Sequence, residues 1–416
     1  MAGIAIVRDF NLRIQHITHT RIVDLNQVDD TASNAEKPST PVDPVTEKDS
    51  LVRERHSGAG GPIRTLSIVP KSISVMQPGP RLDSFVSGRD NNFNLIRMLA
   101  ALGVLISHAY PLSLGSRAEQ PLAAVLGVTL GTVSVMVFFG ISGFLVARSF
   151  ERSSTIRRFL IARVLRLFPA LLMVLIVTVG VSALWLNQAS PEAFWRAVPS
   201  YIVRNFTLYF PQYDLPGVFV TNPYGSAING SLWTLNHEIT CYLGIMALGF
   251  LGALASRRRM TAMLVLFVAG YFVILILDPH PRLVALARLA WPFWIGTALY
   301  VWRDQIEISL RMGLLLAGMA VAAYFTSLFV EIFAIALVYL VFLCGYLPRG
   351  TIRAYNLLGD YSYGTYIYAF PVQQLLSNKM SPMTPLENMT MSIPIVLFCA
   401  VLSWSFVEKP SLSIVR

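Results

Sequence analysis

Charged side chains are scarce in this chain. Aspartate, glutamate, lysine and arginine make up 13% of its 416 residues, against about 25% in soluble domains. Hydrophobic residues supply 54% and the mean hydropathy is +0.57. That balance, with many long apolar runs, excludes an ordinary soluble domain and predicts an all-α polytopic membrane protein. Cysteine is scarcer still. Cys241, Cys344 and Cys399 each lie in an apolar run without ligand spacing, so no disulfide framework and no metal site is expected. They read as small apolar packing residues. Residues 1–25 hold no apolar core of signal-peptide length. Beyond residue 90 lysine is nearly missing as well: 20 of the 22 basic residues there are arginine.

The charge that is present is unevenly placed. Residues 1–90 hold 11 basic and 11 acidic residues, so the net +10 belongs to residues 91–416. Basic residues set between apolar runs answer to membrane topology and anionic head groups rather than to nucleic acid. The first 90 residues, with "NQVDDTASNAEKPSTPVDPVTEKDS", are polar and aperiodic; a disordered extension is expected there, ahead of a membrane domain over 91–416. No methionine stands between Met1 and Met76. Two readings stand side by side: a flexible cytoplasmic tail, or a natural start at Met76.

Ten apolar runs follow, near 95–114, 122–147, 167–187, 232–254, 262–278, 283–301, 312–328, 331–347, 361–377 and 391–407, each close to the ~20 residues of a spanning helix. The connection with Arg148, Arg152, Arg157, Arg158, Arg163 and Arg166 against Glu151 alone belongs inside. Counting from it puts Arg257, Arg258, Arg259, Arg303, Arg311, Arg349, Arg353 and Lys409 inside too, with about ten transmembrane helices and both termini cytoplasmic.

Two ionisable groups stand within the first run. Arg97 and His108 are 11 residues apart, three helical turns plus about 20°, so they share a side about 16 Å apart along the axis. An ionisable group within a span faces a cavity or a partner. The ordinary alternatives are a snorkelling arginine and a neutral packing histidine. A second polar island, "NGSLWTLNHEITCYL", carries Glu238 about two turns into the fourth run, at a depth that permits pairing with His108. His237 points about 100° away.

Several patches carry a family likeness in order: "NNFNLIRMLAALGVLISH", "VMVFFGISGFLVARSF", "IRRFLIARVLRLFPAL", "NGSLWTLNHEITCYL", "YSYGTYIYAFPV" and "SWSFVEKP". Over residues 91–410 the chain resembles the membrane acyltransferase-3 family, ten-span bacterial enzymes that O-acylate surface polysaccharides and related molecules. Ser142, Gly143, Trp233 and Gly364 stand in these patches as structural motif residues. There are two departures. Ala369 occupies a position where relatives often carry histidine, and Gly140 replaces a bulkier apolar residue, which is expected to loosen the packing beside Ser142 and Gly143.

The resemblance implies a multi-pass enzyme of the bacterial inner membrane. Its donor is a cytoplasmic acyl-CoA, chiefly acetyl-CoA, and its acceptor a hydroxyl of a glycan or lipid-linked saccharide, with no bound cofactor. Guanidinium forms paired bonds with phosphate, so Arg163 and Arg166, with Arg157 and Arg158 behind them, are the expected donor contacts; topology alone is the competing explanation. His108 is expected as general base, or as a covalent acyl carrier. Glu238 would orient or balance it, and Arg97 would hold the donor or meet developing negative charge. The aromatic-rich connection 188–231 reads as an interfacial belt before it reads as a sugar platform. Glu408 and Lys409 read as a solvated helix end. The rival class is a proton-coupled transporter or exporter of a glycan or lipid, which would also use midmembrane His and Glu.

Overall fold

The computed structural model describes residues 79–414 except 87, 89, 117, 118 and 187. Most of the expected N-terminal extension, and with it the Met76 start, lies outside the described residues. Its last part does not behave as an extension. Leu82 N donates to Ile306 O (2.8 Å), Asp83 N to Arg303 O (2.9 Å), and Ile308 N to Pro80 O (2.9 Å). Leu82 and Val86 are buried. The expected boundary at 90 therefore moves back to at least Gly79, because Leu82 and Val86 have an apolar face to fill.

Eleven longer helices follow: α1 (Phe93–Leu114), α2 (Leu130–Arg152), α3 (Ile156–Trp185), α4 (Pro191–Thr207), α5 (Trp233–Phe250), α6 (Arg257–Leu277), α7 (Pro281–Val301), α8 (Leu310–Ala322), α9 (Phe329–Tyr346), α10 (Ser362–Met380) and α11 (Pro385–Ser403). Hydroxyl caps start many of them. Thr129, Thr155, Ser256 and Ser309 each accept from the backbone N–H three residues on, which satisfies an otherwise orphan donor. Thr384 and Glu387 form a capping box ahead of α11.

Among the described residues, seven helices are long and apolar enough to cross a membrane: α1, α2, α3, α6, α7, α9, and α11 with its continuation to Ser413. Each of the ten apolar runs overlaps a helix, but α5, α8 and α10 fall short of that standard. α8 is 13 residues long. The reason for α5 and α10 is packing. α10 is buried along nearly its whole length, including Ser362, Thr365, Gln373, Gln374 and Ser377. Its polar groups are spent on neighbours: Tyr363 OH donates to Leu167 O (2.9 Å), Gln373 Nε2 to Leu105 O (3.0 Å), and Gln374 Nε2 to Ala227 O (2.7 Å). A helix enclosed by protein does not need lipid-compatible side chains. α6 shows the converse. Val265, Leu266 and Ile276 are exposed, as a lipid-facing surface would be.

The core is a set of close crossings among α1, α2, α7 and α10. A Cβ on Gly143 would overlap Phe293 O, and one on Gly296 would overlap Gly140 O; Thr297 Oγ1 donates to Gly143 O (3.2 Å) across the same crossing. Small residues let helix backbones approach. Gly364 does this between α10 and α11, where a Cβ would lie 2.8 Å from Ala400 Cα. Gly140 corrects the expectation of loose packing: a Cβ there would lie 2.7 Å from Val338 Cγ2, so the glycine is what allows α9 to close on α2.

Candidate active site

Arg97 on α1, Arg166 on α3 and Asp360 just before α10 meet in one cluster. Asp360 Oδ2 accepts from Arg97 Nη1 (2.7 Å) and from Arg166 Nη2 (2.6 Å). Asp360 Oδ1 accepts from Ser362 Oγ (2.6 Å). Burial by itself would raise the Asp360 carboxyl, but Arg166 and Arg97 outweigh it and hold the group well below the usual carboxylate range.

The cluster stands where two cavities meet. One, of about 570 Å3, is a basic vestibule whose lining includes Arg148, Asn356, Trp404 and Lys409. The other, of about 260 Å3, lies further in and is lined by Ser142, Arg163, Glu238 and Tyr242 among others. Arg97, Leu145, Arg166 and Asp360 line both. Glu238 accepts from Ser142 Oγ (3.1 Å) and from Tyr242 OH, one turn along α5. Arg163 lies over the rings of Tyr242 (5.8 Å) and Phe159 (5.9 Å) and donates through Nη2 to Ser149 Oγ (3.3 Å). Its buried Nε has no hydrogen-bond partner among the described residues.

A third cavity, of about 890 Å3, continues the series and holds His108 with Gln120, Thr129, Tyr213, Tyr224 and Trp233. The His108 ring stands edge-on to Phe370 at 5.3 Å. Val135, Thr234 and Tyr366 line both this cavity and the Glu238 cavity. Thr234 Oγ1 and Tyr366 OH are hydrogen-bonded at 2.5 Å, and Tyr366 OH donates to Ser231 O (3.1 Å). These three side chains form a septum between the two cavities.

The structure thus brings Arg97, Arg163, Arg166 and Glu238 to one cavity and puts His108 in the next. The expected pairing of Glu238 with His108 is corrected to adjacency across the septum, with Ser142 and Tyr242 bonded to the carboxylate. Arg157 and Arg158 are exposed in the first turn of α3 and line neither the vestibule nor the inner cavity. Replacing both with alanine is expected to change the donor KM less than twofold, whereas Arg166→Ala should raise it at least tenfold; steady-state kinetics in membranes checks both. His237 faces elsewhere, with Nδ1 against Trp233 O (2.8 Å). Of the aromatic connection, Tyr213 and Tyr224 reach the His108 cavity, while Tyr201 and Phe219 are buried in the core.

Two acids escaped the sequence reading. Asp360 carried only a weak signal, an acid immediately before a spanning run. Glu408 was read as solvated but is 2% exposed and accepts from Ser403 Oγ (2.9 Å). A π-helical segment, Trp404–Glu408, follows α11 and packs on α3; such a segment alters the helical register. Glu408 Oε2 is buried without a hydrogen-bond partner among the described residues.

Comparison with known proteins shows the family of the chain. A family model described as "Acyltransferase domain" matches residues 90–407. An "O-acetyl transferase" of Shigella phage Sf6 is 30% identical over 341 residues, 77% of this chain and 96% of its own length. "Nodulation protein 10" of Rhizobium leguminosarum bv. viciae is 36% identical over 168 residues, 38% of this chain and 43% of its own. No solved structure matches. With the matched region enclosing Arg97, His108, Glu238 and Asp360 alike, the chain belongs to the membrane acyltransferase-3 family and is an acyltransferase.

Proposed function

We propose that the protein is an integral-membrane O-acyltransferase that moves an acetyl group from cytoplasmic acetyl-CoA to a hydroxyl of a glycan or lipid-linked saccharide. The observation that carries this reading is the series of three cavities, from the basic vestibule through the Glu238 cavity to the His108 cavity. The phage relative's printed name supports O-acetyl transfer. In this reading α5, α8 and α10 cross the bacterial inner membrane with the seven apolar helices. The arginine-bearing ends face the cytoplasm. Glu151 with Arg303, Asp304 with Arg257, and Asp90 with Arg353 pair at that end.

The donor's phosphates sit at the vestibule, where Arg148, Arg97 and Arg166 offer charge-assisted bonds. The pantetheine arm extends inward, because Arg97 and His108 are separated by about 16 Å of helix rise. The saccharide enters the His108 cavity, against Tyr213, Tyr224 and Trp233. His108 takes the hydroxyl proton as the acceptor oxygen bonds to the thioester carbonyl carbon; the carbon–sulfur bond breaks, and the sulfur leaves as CoA thiolate. Glu238, fixed by Ser142 and Tyr242, balances the guanidiniums around the inner cavity. The septum must yield for thioester and hydroxyl to meet. An acyl-imidazole on His108 is the two-step form of the same chemistry.

Isolated membranes without an ion gradient test the reading. Added acetyl-CoA should release free CoA in proportion to acceptor, and mass spectrometry should find a new O-acetyl on the saccharide. A transporter would release no CoA, and that result would overturn the proposal.

A further inference from the structure

We infer that Arg97 and Arg166 form a seat for a phosphate group of the donor, and that Asp360 is an internal competitor occupying the seat until the donor displaces it. This deepens the functional reading and rests on the donor being a phosphate-bearing acyl carrier.

Both guanidiniums donate to a single oxygen, Asp360 Oδ2, and each spends one nitrogen there. A guanidinium carries five N–H donors in a fork suited to phosphate, so the pair has donors in reserve for a larger anion. The place also matters. The four residues common to vestibule and inner cavity include all three members of the cluster, so anything passing inward meets it. Among the described residues lining the vestibule Asp360 is the one acid, against Arg97, Arg148, Arg166 and Lys409. The vestibule lining is therefore basic, and a cleft lined by charge of one sign draws a further anion. A phosphate and Asp360 cannot share the seat, since like charges at hydrogen-bond range repel strongly. Gly359 beside Asp360 sits at φ +118°, a conformation that glycine adopts without strain. Ser362 Oγ donates to its other oxygen and helps to hold the carboxylate in the seat.

A competitor lowers apparent affinity by the fraction of time it occupies the site. The sign of its removal is therefore distinctive: the donor should bind more tightly when Asp360 loses its charge, whereas loss of a merely structural carboxylate should weaken binding.

The test uses the full chain in lipid nanodiscs, with coenzyme A and inorganic pyrophosphate as separate probes. Asp360→Asn is expected to bind both probes roughly five- to tenfold more tightly than the parent. Ser362→Ala, which keeps every charge and removes only the hold on Oδ1, should tighten binding in the same direction by a smaller factor. Arg166→Ala should weaken both probes. Equal or weaker binding by Asp360→Asn overturns the inference. Should that variant fail to fold, Ser362→Ala decides, and unchanged or weaker binding there overturns it. If the parent binds pyrophosphate and not coenzyme A, and Asp360→Asn still tightens pyrophosphate, the seat stands and the donor assignment falls. If the parent binds coenzyme A but Asp360→Asn binds it no better, the competitor falls and the functional reading stands.

Discussion

Replacing His108 with alanine is expected to lower acyl transfer by about 10²- to 10⁴-fold, the range for loss of a positioned general base, with little change in the donor KM. The reason for the split is spatial. His108 lines the cavity of Tyr213, Tyr224 and Trp233, while the arginines proposed to hold donor phosphate line the vestibule and the Glu238 cavity. A residue that meets only the acceptor and the reacting carbonyl should act on kcat and on the acceptor KM. Initial rates at varied acetyl-CoA and fixed saccharide, normalised to protein folded in the membrane, give the answer. Retention of half the parent rate would remove His108 from the chemistry. A covalent route makes one more demand: parent protein mixed with radiolabelled donor without acceptor should trap label on His108, and the direct route should trap none.

The second large effect concerns stability. Gly143→Val should cost about 3 kcal/mol or more, the upper end of overpacking penalties. Even the Cβ alone would overlap a backbone carbonyl, Phe293 O, which cannot rotate aside as a side chain tip can. Gly296 faces Gly140 O in the same crossing, so α2 and α7 would have to separate. Thr297 would lose its bond to Gly143 O. Gly180→Ala on α3 is the control. A Cβ there meets nothing within 4 Å, so the change should be neutral or stabilise by up to about 1 kcal/mol through helix propensity. Thermal unfolding of the two variants in one detergent compares them directly. If Gly143→Val melted with Gly180→Ala, the tight crossing would not be a structural requirement.

Helix positions were legible in the sequence because lipid-facing helices have to be apolar over a membrane's thickness. All ten apolar runs fall on helices. The legibility fades where protein replaces lipid: α5 and α10 carry buried polar residues that find partners on neighbouring helices. The start of the folded region was hidden for a related reason. Leu82, Phe85 and Val86 are three apolar side chains in a polar stretch, too few to announce burial.

Within the site, spacing along a single helix was informative and pairing between helices was not. The 11-residue interval put Arg97 and His108 on one side of α1, and both line the series of adjoining cavities. The partner of Arg97, however, is 263 residues away, and no local pattern marks Asp360 as its counter-charge. Glu408 was misread because the π-helical segment changes which side chains of the last helix face inward. Arg157 and Arg158 were grouped with Arg163 and Arg166 by proximity in sequence, yet one and a half turns of α3 separate solvent from cavity.

The septum of Val135, Thr234 and Tyr366 bears on the cell as well as on the reaction. A membrane that stores energy as a proton gradient would be discharged by a water-filled bore through a bundle of helices. Here the closure is a single hydroxyl pair, Thr234 with Tyr366, backed by a valine and anchored on Ser231 O. In the proposed reading this small closure parts for the acetyl group and closes again between turnovers, which would keep the bundle electrically insulating.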